Sequence, residues 1–235
     1  MRVVISAPRK SGGAHLRCLL SMAYDLKSPP VSAPESRVQP EVARWLAELP
    51  DRSVSTCDLP LSVLSGPAFE SGVGLIGVIR HPFDLFVSNF DVAQQRAARG
   101  RSDGDNGPAW GILSGEELGS DVVRHYATRD FAGEIAALRD WSAHGGAVRF
   151  EDLLADPASA LKSLSAILGP LTDEEISHAV GLCPAENVVA SRPGQGRRMP
   201  ALPPGAWRDR LPADLLAALH HSYGSEVTEL GYDAS

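Results

Sequence analysis

The chain has 235 residues, a formal net charge of −7 and 43% hydrophobic residues, which suits one α/β domain with a full core. Its acidic balance excludes a general nucleic-acid surface but leaves room for a local basic pocket. No apolar run is long enough to span a bilayer and no secretory leader precedes the first strand, and Cys18, Cys57 and Cys183 lack CxxC pairing. The expectation is a cytoplasmic protein with free thiols and no metal.

Residues 2–6 predict a short β-branched strand and 13–23 an apolar-periodic helix. The loop between them carries Arg9, Lys10, Ser11, Gly12, Gly13, Ala14 and His15. A strand feeding a glycine loop and a helix start presents backbone N–H groups that lack helical partners, and the helix dipole favours an anion there. The stretch reads either as an ordinary βα turn or as a phosphate cradle with Lys10 as its point cation. It is not a Walker A loop, because Lys10 precedes the glycines and no Gly-Lys-Ser/Thr follows.

Lys27–Pro40 is rich in Pro and Ser and predicts a loop. Glu41–Leu49 places Val42, Trp45, Leu46 and Leu49 on one helical face. Ser53–Cys57 predicts a short strand, and Leu59–Pro60 starts another helix. Gly74–Ile79 is a continuous apolar run, the pattern of a central parallel strand buried on both faces. Pro82 opens the next helix. Arg99–Leu118 is a long polar, Gly-rich loop, either disordered or a lid over an acceptor. Helices follow at 117–128 and 131–142, then a short strand at 147–150. Asp156 and Pro157 cap a helix, Thr172 to Glu175 is a capping box, and a last helix starts near 212. Residues 191–206 form a basic Pro/Gly-rich loop. Strands alternating with helices predict one domain, residues 1–235, with a parallel sheet and helices on both faces.

Ligands of such sheets bind outside the carboxyl ends of the strands. The Lys10 loop, Arg80 with Ser88 two helical turns later, and Asp58 all follow strands, and Arg197 and Arg198 come from the late basic loop. Each has a plain alternative: Arg80 as an ion pair with Asp84, Ser88 as a helix-surface residue, Arg197 and Arg198 as a solvated loop. Together they suit a ligand with several anionic groups.

The motifs resemble those of sulfotransferases that use 3′-phosphoadenosine 5′-phosphosulfate (PAPS). Lys10–Leu16 resembles the family's P-K-S/A-G-T/G-T/H-W-L loop, and Arg17–Leu20 is similar to the bacterial branch that sulfates natural products. Arg80, Pro82, Asp84 and Ser88 match the 3′-phosphate motif R-N/D-P-x-D-x-x-x-S in register. Arg149–Pro157 resembles R-Y-E-D-L-x-x-D-P, and Gly205–Arg208 the C-terminal G-x-W-K/R ending. The resemblance implies a three-layer α/β/α fold with a P-loop-like 5′-phosphosulfate loop. It implies PAPS as co-substrate without a metal, and a small-molecule hydroxyl as acceptor. Neither nucleic acid nor membrane is a partner, and a homodimer is compatible with it. Lys10 then stabilises the leaving group with the N–H groups of Gly12, Gly13 and Ala14. Arg80 and Ser88 hold the 3′-phosphate, joined by Arg197 or Arg198, and Phe150 contacts the adenine.

Two positions depart from the pattern. The family's K-T-H-x-P segment, whose His is the general base, corresponds here to Thr56–Pro60, so Asp58 stands in the base position. Asp58 is the base, a binder of a cationic acceptor group, or a sign of lost catalysis; His81 is a second candidate base or a structural residue. His15 stands where the family often has a Trp stacked on adenine. A catalytically silent PAPS-binding protein and, with less support, a P-loop nucleotide kinase are the competing readings.

Overall fold

The computed structural model describes residues 1–29, 32–34, 37–98, 108–185 and 202–233. The chain forms two compact units, Met1–Ile79 with Asp140–Ala201, and Arg80–Arg139 with Leu202–Ser235.

The first unit holds an all-parallel sheet of β1 (Arg2–Ser6), β2 (Ser53–Cys57), β3 (Gly74–Ile79) and β4 (Ala147–Arg149) in the order β2-β1-β3-β4. Val3, Val4, Ile5, Val54, Ile76 and Val78 are all fully buried, as expected of β-branched strands covered on both faces. Parallel pairing demands long crossovers. These are α1 (Gly13–Tyr24) and α2 (Gln39–Glu48) between β1 and β2, and α3 (Leu61–Ser71) between β2 and β3. After β4 come α8 (Phe150–Ala155), α9 (Pro157–Leu168) and α10 (Asp173–Leu182). Leu16, Leu19 and Leu20 of α1 pack with Leu161 and Leu164 of α9 and Ile176 of α10 on the strand residues Val3, Ile5 and Val148. Each such side chain contributes about 1.5–3 kcal/mol by leaving water. Asp156 caps α9 by accepting from the Ser159 N–H, and Thr172 with Glu175 forms the expected capping box of α10.

The strand order reverses at β1. β2 lies on one side of it and β3 on the other, with Ser6 in register with Cys57 and with Gly77. The carboxyl ends of β1 and β3 therefore flank a topological switch point, where ligands of open parallel sheets bind.

The second unit is built on α4 (Pro82–Ala98), whose residues 82–90 are all buried. Pro82 starts it, as the sequence predicts. α5 (Pro108–Leu113), α6 (Asp121–His125), a π-turn at Tyr126–Asp130 and the start of α7 (Ala132–His144) follow, with α11 (Trp207–Arg210) and α12 (Ala213–Glu229) from the C-terminal part. Phe86, Tyr126, Phe131 and Tyr223 form an aromatic cluster with neighbouring centroids 5.4–6.3 Å apart. Burial pushes the Tyr126 hydroxyl well above the usual phenol range.

Three expectations need correction. Cys18 and Cys183 are not free thiols but a disulfide across 165 residues of sequence; Cys57 is free. Disulfide pairing is set by how helices meet, here α1 and the end of α10, and not by local spacing. Part of the 99–118 segment is not a loop: Pro108–Leu113 is helical and Leu113 is buried, while residues 99–107 lie outside the described ones. Pro60 sits at the N-cap before α3, not within its first turn. Among the described residues no helix is long and apolar enough to cross a membrane, and no group of three or more His, Cys, Asp or Glu side chains is placed to hold a metal.

Candidate functional site

In the first unit the ladder between β1 and β2 runs on past the strands. The Ala7 N–H donates to the Cys57 carbonyl at 2.9 Å, and Ser6 Oγ to the Leu59 carbonyl at 2.6 Å. These two bonds fix the loop after β2 beside the loop after β1. Arg9 Nε then reaches Asp58 Oδ2 at 3.3 Å. The structure thus brings Asp58 to the Lys10 loop, with Arg9 on its carboxylate. Both side chains are about half exposed, and such a pair contributes at most about 1 kcal/mol of stability. Desolvation pushes the neighbouring Cys57 thiol up to about 12, with the Asp58 charge adding to the effect.

The glycine loop has a defined shape. The Ser11 N–H donates to the Pro8 carbonyl at 3.1 Å, closing a tight turn with Lys10 at φ +66°. A left-handed backbone is unusual for a residue with a Cβ and costs about 1 kcal/mol. Gly12 follows at φ +79° as the N-cap of α1, whose first helical residue is Gly13. A Cβ on Gly12 would lie 2.8 Å from Phe150 Cδ2, and one on Gly13 2.8 Å from the Ala7 Cβ. Both positions therefore require glycine, for close approach at Gly13 and for backbone conformation as well at Gly12. Phe150, only 1% exposed, forms the floor against Gly12 as part of the unit's core.

Ser11 Oγ is fully buried and has no hydrogen-bond partner among the described residues. It is an orphaned hydroxyl inside a loop of backbone N–H donors at the start of a twelve-residue helix. The residues present thus fit an anion. His15 does not offer its ring freely. It is 6% exposed, and its Nε2 lies 2.9 Å from the Cys183 carbonyl. A carbonyl only accepts, so Nε2 carries the proton.

In the second unit Arg80 is completely buried and Ser88 is 3% exposed. Arg80 Nη2 donates to the Leu202 carbonyl at 2.7 Å. Asp84, also fully buried, accepts from the Gly205 N–H at 2.7 Å and the Trp207 N–H at 3.1 Å. His81 stacks on Trp207 at 5.2 Å, and its Nδ1 accepts from the Phe83 N–H. That ring is built into an aromatic cluster. Arg197 and Arg198 lie outside the described residues.

Sequence reasoning missed Arg9 as the partner of Asp58, His15 as a tie to Cys183, and Asp84 as the anchor of the Gly205–Trp207 turn. Only Asp84 carried a signal, as a motif member and as an alternative ion-pair partner of Arg80. A separate cavity of about 530 Å³ opens along β4, lined by polar residues including Arg149, Asp152 and Ser159. It contains none of the expected site residues.

No family model matches the chain, and no curated protein does. Solved structures do. Mouse sulfotransferase SULT7A1 complexed with PAP (3′-phosphoadenosine 5′-phosphate) is similar at TM-score 0.68 and 14% identity, over 96% of this chain and 83% of that one. Retinol dehydratase in complex with retinol and PAP is similar at 0.60 and 14%, over 97% and 82%. Its complex with androsterone and inactive cofactor PAP gives 0.54 and 17%, again over 97% and 82%. The chain has the fold of these PAP-bound structures.

Proposed function

We propose that the chain is a sulfotransferase that moves a sulfuryl group from PAPS to a hydroxyl of a small molecule. The observation that carries this reading is the orphaned, fully buried Ser11 Oγ in the glycine loop after β1. PAP in the three structures named above supports a 3′-phosphorylated adenosine ligand, and retinol and androsterone in two of them support a small-molecule acceptor.

When bound, PAPS supplies a sulfuryl group joined to a phosphate leaving group. In this reading the N–H groups of Gly12, Gly13 and Ala14 and the Ser11 hydroxyl orient the 5′-phosphate. Lys10 neutralises the charge that develops on the departing oxygen. Arg80 and Ser88 hold the 3′-phosphate, which separates PAPS from other adenosine nucleotides. Arg197 and Arg198 belong to the same assignment, and Phe150 supports the adenine end. Asp58 accepts the acceptor's proton.

The Arg9–Asp58 ion pair favours a second reading, in which that carboxylate is held by Arg9 and the protein binds PAP without catalysis. Sulfur-labelled PAPS incubated with hydroxyl acceptors separates the two. Transfer that is lost in Asp58→Ala supports the enzyme with Asp58 as base. Transfer untouched by that substitution removes the base assignment. PAP binding with no transfer to any acceptor supports the silent protein, and binding of ATP without PAP overturns both.

A further inference from the structure

Within the second unit, three hydrogen bonds join the start of α4 to the Leu202–Trp207 segment. Asp84 grips that segment at two points, its Oδ2 on the Gly205 N–H and its Oδ1 on the Trp207 N–H. Two charge-assisted bonds from one buried carboxylate fix both position and orientation of the turn. Gly205 at φ +83° lets the chain make it, and Trp207, 1% exposed and stacked on His81, packs its far end. The turn in its place presents the Leu202 carbonyl to Arg80 Nη2. A guanidinium is a planar fork, so a carbonyl bond on one Nη is a contact that helps orient its other donors.

We propose that Asp84 is the positioning residue of the Arg80 guanidinium, acting through the Leu202–Trp207 turn, and so sets the discrimination for a 3′-phosphate. The assignment rests on the reading of Arg80 as the 3′-phosphate ligand. Asp84 acts indirectly in this assignment. Its carboxylate is spent on two backbone N–H groups, more than 120 residues away in sequence.

The test compares PAP with AMP, which lacks the 3′-phosphate, by calorimetric titration. Asp84→Asn preserves shape but places an amide against an N–H donor. It is expected to weaken PAP binding roughly tenfold, the worth of about one hydrogen bond, with AMP binding unchanged. Amide hydrogen exchange at Gly205 and Trp207 accelerates in the same variant. Gly205→Ala strains the turn from its other side while leaving the carboxylate in place, and is expected to reduce the PAP-to-AMP preference as well. A preference equal to wild type in both variants, or PAP and AMP weakened in parallel, overturns the assignment. Wild-type protein that binds PAP no better than AMP overturns the Arg80 reading itself, and the role of Asp84 with it.

Discussion

Replacing Ser11 by Ala tests the phosphate loop through two effects of opposite sign. In the free chain the Ser11 hydroxyl is enclosed and finds no partner among the described residues. A buried hydroxyl in that state costs about 1–3 kcal/mol. Alanine keeps the Cβ and removes only the oxygen, so the loss of packing is small. The variant should therefore be more stable than wild type when no ligand is present. At about 2–4 °C per kcal/mol for a chain of this size, Tm rises by about 2–12 °C. With PAP the sign reverses. A hydroxyl donating to a phosphate oxygen is worth about 1.5–3 kcal/mol, so Ser11→Ala should weaken PAP binding roughly tenfold to a hundredfold. PAP then raises the Tm of wild type by more than that of the variant. Scanning calorimetry and titration calorimetry on the same preparations read both numbers. A lower Tm for the free variant would show that the hydroxyl already had a partner. An unchanged PAP affinity would refute its place in the phosphate loop.

Gly77→Ala should destabilise the chain by about 3 kcal/mol or more, because the new Cβ would sit 2.4 Å from Trp141 Cε3. Urea unfolding measures it, and adding Trp141→Leu should recover part of the loss. Cys18→Ser opens the cross-link to Cys183 and should cost about 2–4 kcal/mol. A variant with the wild-type unfolding midpoint counts against the bond. The Cys57 thiol, raised from 9.0 to about 12, holds its proton in the folded state while the unfolded chain loses it. Its contribution to stability is complete below pH 9 and disappears as pH rises towards 12. Cys57→Ala should flatten that alkaline decline in a pH series of unfolding midpoints.

The sheet was legible because its signals are local. β1, β2 and β3 match their expected limits, since β1 and β3 are mostly β-branched or apolar and β2 alternates Ser53 and Ser55 with the β-branched Val54 and Thr56 before Asp58. The 126–130 stretch was not. The sequence predicts helices at 117–128 and 131–142 with a break between them, but the Phe131 N–H donates to the Tyr126 carbonyl five residues back. The extra residue turns Tyr126 and Phe131 to the same buried side, with rings 6.3 Å apart. A 3.6-residue period cannot register an insertion made for tertiary packing. The same reason hid the disulfide. Cys18 and Cys183 meet only because α1 and α10 pack together. One of the two readings the sequence leaves open for Arg80 is a helix-start ion pair with Asp84. In the fold its carboxylate is taken by backbone N–H groups 121 and 123 residues away.

Local reading also left the glycine loop open between an ordinary turn and a phosphate cradle, and folding energetics favour the proposed cradle. A turn made only to join β1 to α1 does best with Gly at its left-handed position and Ala at a buried one without a partner. This loop has Lys10 at φ +66° and a serine whose hydroxyl is sealed in. The first costs about 1 kcal/mol and the second about 1–3 kcal/mol. Together they are a sizeable part of the 5–15 kcal/mol that holds a typical domain together. Gly12 and Gly13, one and two residues after Ser11, are where a Cβ would collide with Phe150 and Ala7, so glycine there does serve the fold. The Lys10 backbone conformation and the sealed Ser11 hydroxyl are costs to it. An anion that accepts from the Ser11 hydroxyl and meets the Lys10 ammonium turns both costs into binding energy. The left-handed Lys10 backbone and the orphaned Ser11 hydroxyl therefore support the proposed ligand at this loop.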